Sequence, residues 1–426
     1  MSHARITRRR LLGAMGAAGA LAALPACRKT SEPSGGQGGG QGSGSGGGSG
    51  GGQGGGQGSG KIKVGVLVPL SGVYATVGNE LKRSWELWLE RHGGKLGKLE
   101  VETVVADEGE TPQTGVPAVQ KLLQSDKVDA IVGVISSAIA LGVKDIVADA
   151  KKLLIIANAG AGKITGAAKS PYIWRTSFTN AQIASVMGKH LAGQNSGPVY
   201  LIAPDYAAGA EVIQGFKATF EAGGGKVAGE TKTPFGKTQD YQPFLTGIQS
   251  SGAKATFCFF AGAEAIAFVK QYSEFGLSKS IPLYGSGFLT EGSAVLAAQG
   301  DAAAGIETTL HYSTELDNPA NKEFVAAFTA KYSTPPAVYA VQMWDTAGVL
   351  NRALATATAL DGDSLAKAMA SVATIDDSPR GPWSFDNHLS ARPRASCPPG
   401  STLTSSACST GWRSERCCSS SPSACR

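Results

Sequence analysis

Short apolar runs alternate with amphipathic stretches along residues 61–388, and that alternation leaves few folds open to the chain. Residues 63–70, 99–107, 129–135, 153–158, 199–204, 226–231, 255–260 and 282–285 are β-branched or apolar without sustained polar alternation, as strands buried on both faces of a parallel sheet are. Between them Leu81, Trp85, Trp88 and Leu89, or Val212, Phe216 and Phe220, fall at helical spacing and make one apolar stripe. Repeated winding of this kind predicts an α/β protein with doubly wound parallel sheets. Ligands bind beyond the carboxyl ends of such strands, so the loops after each strand are where binding residues belong. The roughly 330 residues of this region exceed what one core usually grows to, so two lobes are expected.

Ahead of the body, Thr7-Arg8-Arg9-Arg10-Leu11-Leu12 carries the twin-arginine export pattern, and an Ala/Gly-rich apolar run follows to Leu24-Pro25-Ala26-Cys27. Residues 1–27 read as a lipoprotein leader, with cleavage before Cys27 and lipid on its sulfur. The run has too few apolar residues for the ~20 that span a bilayer. Residues 28–60 are almost only Gly, Gln and Ser, which bury no apolar surface, so they read as a tether. At ~5–6 Å × √n its reach is about 30 Å.

Charge and motif spacing exclude other classes. The formal charge of +6 is inflated by the leader arginines and by Arg392, Arg394, Arg413, Arg416 and Arg426, and no basic stripe in the body points to nucleic acid. His92, His190, His311 and His388 are scattered, none at metal-ligand spacing with another His or Cys. Gly160-Ala161-Gly162-Lys163 ends like a phosphate loop, but Ala157 replaces the leading glycine and Ile164 the magnesium-binding hydroxyl. Gly285-Ser286-Gly287 lacks the spacing of a nucleophile elbow. No enzyme, cofactor or metal site is expected.

The strand-end loops carry Val68-Pro69-Leu70-Ser71-Gly72, Gly133-Val134-Ile135-Ser136-Ser137, Asn158-Ala159-Gly160-Ala161-Gly162 and Trp174-Arg175-Thr176-Ser177, in that order. Asp317-Asn318-Pro319-Ala320-Asn321-Lys322 and Ser378-Pro379-Arg380-Gly381-Pro382 follow. Together they resemble the type I periplasmic solute-binding proteins of branched-chain amino-acid-type ABC transporters. The closer similarity is to members associated with aromatic or other carboxylate substrates. The resemblance implies two lobes joined by a hinge, a ligand held between them, and a membrane permease as partner. It divides the chain into lobe 1 (61–177 and 311–383) and lobe 2 (178–310 and 384–388).

By that resemblance, Ser137 with Ser136 grips the ligand carboxylate, where a loop entering a helix supplies free amides. An ordinary N-cap serine is the alternative for Ser137. Ala159, Gly160 and Ala161 match the backbone-binding loop, with Ala161 standing where a threonine hydroxyl is usual. Tyr206 and Tyr339 match lining aromatics, cleft-edge packing being the other reading. Tyr74, Gly262 and Phe288 complete the candidate wall. Amino-acid binders carry a glutamate for the ligand ammonium where this chain has Gly287; without it a buried ammonium would be unpaired, at a cost of several kcal/mol. Glu264 or Glu291 could substitute for it, or could be solvated helix-start carboxylates. A carboxylate with an apolar or aromatic body is therefore the expected ligand. A branched-chain amino-acid or amide binder, or a sensor of the same fold, is the alternative.

The resemblance stops near residue 388. Residues 389–426 are Ser, Pro, Arg and Cys without periodicity and hold Cys397, Cys408, Cys417, Cys418 and Cys425. A disulfide module or a shifted reading frame would each produce such a tail. The missing final strand pair of the family favours the shifted frame. Cys258, inside an apolar run, reads as inert packing.

Overall fold

The computed structural model describes residues 60–166, 169–386 and 389–393. Its strands are β1 (Lys61–Val68), β2 (Lys95–Leu96), β3 (Leu99–Asp107), β4 (Ala130–Gly133), β5 (Leu153–Ile156), β6 (Ile173–Arg175), β7 (Val199–Pro204), β8 (Val227–Thr233), β9 (Ala255–Cys258), β10 (Leu283–Ser286), β11 (Glu307–Thr309), β12 (Trp383–Phe385) and β13 (Ala391–Pro393). Its helices are α1 (Ala75–Arg91), α2 (Pro112–Gln124), α3 (Ser137–Asp149), α4 (Gly162–Thr165), α5 (Asn180–Gly193), α6 (Ala207–Ala222), α7 (Gln242–Ser250), α8 (Gly262–Glu274), α9 (Ser293–Gln299), α10 (Pro319–Tyr332), α11 (Val338–Thr356) and α12 (Gly362–Ala370).

Two sheets form, ordered β2-β3-β1-β4-β5-β6 and β11-β10-β9-β7-β8. Every pairing in them is parallel except β2 with β3. Both are doubly wound, and the strand order reverses at β1/β4 in the first lobe and at β7/β9 in the second. A crevice opens at each reversal, beyond the carboxyl ends of the strands.

Two-sided burial explains the continuous apolar runs. Val64, Val66 and Val68 of β1 join a core cluster with α1 and α11, while Leu67 faces the opposite cluster with Leu122 and Ile139. In the second lobe Leu201 and Ala203 face one way, and Tyr200 and Ile202 the other. The strand at 99–107 differs, since β3 lies beside the two-residue β2 near the sheet edge and alternates between half-buried and exposed positions over most of its length. Strands β2, β6, β11, β12 and β13 span two or three residues each and are too short to show a period. Cys258 is a free, buried thiol whose pKa is pushed well up by desolvation.

The carboxyl end departs from the sequence assignment. Ser384 and Phe385, expected in the second lobe, lie in β12, which pairs antiparallel with β13, and Phe385 meets Trp174 of the first lobe edge-on at 4.9 Å. Leu389, taken from sequence as the start of the tail, accepts a hydrogen bond at its carbonyl from Arg175 N (3.0 Å), and Ser390 bridges to Arg175. Trp383 and Ala391 of this hairpin are buried in the same core cluster as Trp174. Residues 394–426 and Cys27 lie outside the described residues.

Candidate ligand cleft

The loops beyond the two strand reversals face each other. From the first lobe Tyr74, Ile135, Ser137, Asn158, Gly160 and Tyr339 line the space between them. From the second come Phe178, Asn180, Tyr206 and Ala208, with Phe259, Ala261 and Phe288. The enclosed volume is ≈ 20 Å³, about the room of one water. That is far below the roughly 300–1,000 Å³ of a pocket that holds a small organic ligand. Outside this space a recess of ≈ 480 Å³ opens to solvent between Glu110, Pro112, Lys232, Phe235 and Lys237, and Tyr206 lines both.

Backbone strain aims the loop after β4. Gly133 has φ +123°, and the buried, β-branched Val134 sits at φ +65°, a region that costs such a residue of order 1–3 kcal/mol. The twist turns the amides of Ile135 and Ser136 onto the buried Glu108 carboxylate, at 2.8–3.1 Å. Burial pushes that carboxyl up to about 8 against the opposing pull of these bonds. Ser136 is the N-cap of α3, its Oγ accepting from Ile139 N (3.4 Å). Ser137 is therefore the first helical residue and not the cap. Its Oγ accepts from Asn180 Nδ2 (3.2 Å), and its own amide belongs to the helical turn that has no intrahelical acceptor.

Asn180 ties the lobes together. Its Nδ2 also donates to Glu211 Oε2 (3.0 Å), and its amide donates to Gly160 O (2.8 Å). A Cβ on Gly160 would fall 2.3 Å from Asn180 Oδ1 and 2.7 Å from the Phe178 ring, so only glycine allows this approach. Asn158 Nδ2 donates to Gln342 Oε1 (2.7 Å), and Gln342 pairs with His311 Nε2 (3.1 Å). Burial, aided by the Arg380 charge, holds His311 well below its usual pKa.

Six rings surround the space: Tyr74, Phe178, Tyr206, Phe259, Phe288 and Tyr339. Phe288 lies 5.1 Å from Phe178 and 5.6 Å from Tyr339, and Tyr206 stacks on Phe235 at 4.4 Å. The hydroxyls of Tyr74 and Tyr206 share a 2.7 Å hydrogen bond across the lobes. Burial raises the pKa of both phenols, so both stay protonated.

Of the residues chosen from sequence, Tyr74, Ser137, Gly160, Tyr206, Phe288 and Tyr339 line the space, while Ser136, Ala159, Ala161, Gly262 and Gly287 are not among the residues lining it. Ala159 and Ala161 turn their carbonyls to Arg175. A Cβ on Gly262 would meet Val73 O at 2.2 Å, and one on Gly287 would run into the Leu310 side chain at 2.4 Å. A side chain at Gly287 would thus start against Leu310. Glu264 and Glu291 do not line the space, and neither is a solvated helix-start carboxylate. Glu264 accepts from Gly236 N (2.9 Å) and Glu291 from Val338 N (2.8 Å), and burial pushes each up to about 7. Sequence reasoning did not select Phe178, Asn180, Phe259, Ala208 or Ala261. Phe259 follows β9 directly, so the strand-end rule could have found it.

The remaining motifs serve the hinge. Arg380 forms a buried ion pair with Asp345, with Nε 2.6 Å from Oδ2, and its Nη2 donates to Thr176 O (2.7 Å) where the chain leaves β6. Asn318 caps α10 by accepting from Asn321 N and donates to Pro379 O (3.0 Å).

Two doubly wound parallel lobes around a shared crevice define a ligand-binding protein of the bilobal α/β class. The sequence matches the periplasmic binding protein family over residues 61–394, and the chain belongs to that family. Leu/Ile/Val-binding protein homolog 6 of Brucella melitensis is 31% identical over 331 residues, covering 76% of this chain and 83% of the relative. An ABC transporter solute-binding protein of R. palustris, solved in complex with benzoate, is 37% identical with a TM-score of 0.73, covering 78% of this chain and 91% of that one. A second, from Rhodopseudomonas palustris BisB5 and solved with 3,4-dihydroxy benzoic acid, is 33% identical with a TM-score of 0.72 and the same coverage. The resemblance drawn from the strand-end motifs is thus borne out, as is the fold. No helix among the described residues is long and apolar enough to cross a membrane.

Proposed function

We propose that the chain captures a small aromatic carboxylate between its lobes and hands it to a membrane permease. The carrying observation is the wall itself: six aromatic rings, the first turn of α3 at Ser137, and no acidic residue among those lining the space. Rings bury a flat apolar body, while a helix start and a hydroxyl suit an anion. The benzoate and dihydroxybenzoate complexes of the relatives support this reading. Ser137 and the Gly160 loop would take the carboxylate, and Tyr206, Phe288 and Tyr339 would flank the ring. A thermal-shift screen tests it: benzoates should raise the melting temperature and branched-chain amino acids should not, because a ligand that binds only the folded state stabilises it. Stabilisation by leucine with no response to benzoates would refute the reading.

The amino-acid reading keeps one observation in its favour. Glu264 is buried with one carboxylate oxygen unpartnered, close enough to Tyr74 and Tyr206 to raise their pKa values. For location, the leader motif supports anchoring through a lipid on Cys27. Cys27→Ser should release the protein from membranes, since the Gly-rich tether has no membrane affinity of its own; retention of that variant on membranes would count against the anchor.

A further inference from the structure

We propose that Arg175, buried behind the 158–162 loop, is a positioning residue that sets the cleft's preference for an anionic ligand. The proposal rests on the carboxylate reading and adds its electrostatic source. Arg175 ends β6 with no solvent exposure. Its Nη1 donates to Ala161 O (2.8 Å) and Ala159 O (3.4 Å), and its Nη2 donates to Ser390 Oγ (2.9 Å) and to Thr165 Oγ1. Its Nε has no partner. Buried guanidinium groups are ordinarily held by a carboxylate, yet Arg175 forms no ion pair among the described residues. The carboxylates that act on it at longer range are Glu211 of the second lobe and Asp386. Neutral oxygens take the hydrogens of Nη1 and Nη2, and none of these contacts carries a counter-charge.

That charge reaches the cleft in two ways. The Ala159 carbonyl belongs to the same peptide unit as the Gly160 N–H, and Gly160 lines the space. A hydrogen bond to the carbonyl polarises the unit and strengthens its N–H as a donor. The next such unit shows the effect on a resident anion: Ala161 O accepts from Arg175, and the adjoining Gly162 N–H donates to Glu211 at 3.0 and 3.2 Å. The field of the guanidinium also crosses protein rather than water, where screening is weak. A loop that carries Ala161, with no hydroxyl to offer, can in this way still favour an anion.

Titration of the full-length chain with benzoate and with benzamide, its uncharged counterpart, separates charge from shape. Wild type should prefer benzoate. Arg175→Met should lose that preference by about tenfold or more, whereas Arg175→Lys, which keeps the charge but not the fork, should keep the preference while binding both ligands less tightly. Equal weakening of the two ligands in Arg175→Met is the signature of a purely structural role and overturns the proposal. Where melting shows that the Met variant does not fold, the Lys variant decides: loss of the benzoate preference in a folded Arg175→Lys chain overturns it. A wild-type chain with no preference for benzoate contradicts the carboxylate reading itself, before Arg175 is altered.

Discussion

Ser137 and Asn180 meet from opposite lobes, and the amide of one is committed to the hydroxyl of the other. A carboxylate arriving at the first turn of α3 would share that hydroxyl and the free helix-start amides. Ser137→Ala is predicted to weaken benzoate by about 1–3 kcal/mol, the scale of one charge-assisted hydrogen bond. Calorimetric titration checks this, and an unchanged affinity would leave the anion to the amides alone. At this scale the strand-end rule pointed to the loops, and the family resemblance chose Tyr74, Ser137, Gly160, Tyr206 and Phe288 within them, each following a strand closely in sequence. Asn180 stayed hidden for a physical reason. It follows the three-residue β6, and Thr179 with Gln182 forms a capping box that explains a helix start there without any ligand. Ala159, Ala161 and Gly262 share these loops but do not line the space, and the two alanines pack into the core cluster with Ile139 and Ile164, a distinction that sequence proximity does not carry.

Helices α1 and α11 of the first lobe meet the second lobe through two glutamates, the buried Glu80 and the half-buried Glu291. Glu80 on α1 lies against the backbone of Ser293 at the start of α9, and Glu291 accepts from Val338 N at the start of α11 (2.8 Å). Each carboxylate thus faces the start of a helix of the opposite lobe. Burial, with the Glu291 charge adding to it, pushes Glu80 up to about 8, partly offset by the Ser293 bond and Arg83, while burial pushes Glu291 up to about 7. A raised carboxyl means that the folded chain binds more protons than the unfolded one between about pH 4.5 and 8, so this contribution to stability is full at the acid end and is lost as pH rises through that window. Glu80→Gln should therefore lose less melting temperature than wild type between pH 6 and 9. Parallel melting curves for the two chains would show that Glu80 does not titrate in that range. Such pairs are invisible to periodicity, since Glu80 sits in a helix of ordinary amphipathic pattern and its neighbour Ser293 is far away in the chain.

On the scale of the whole molecule, strand and helix alternation foresaw doubly wound sheets, because parallel strands buried on both faces leave a continuous apolar signature, and the length of the region foresaw two lobes. The hinge was less legible. The Arg380–Asp345 pair reaches Thr176 O, and Arg175 bonds to Leu389 O and Ser390, contacts between residues far apart in the chain. The central claim is that this closed, ring-lined space is built for a carboxylate without an amine. Competition titration of benzoate, leucine and leucine's deaminated analogue on the wild-type chain measures it directly. Benzoate should bind most tightly, and the deaminated analogue should exceed leucine, because a buried ammonium would find no acidic residue on the wall. A preference for leucine over its deaminated analogue would contradict the account and assign the pairing to Glu264 or Glu291.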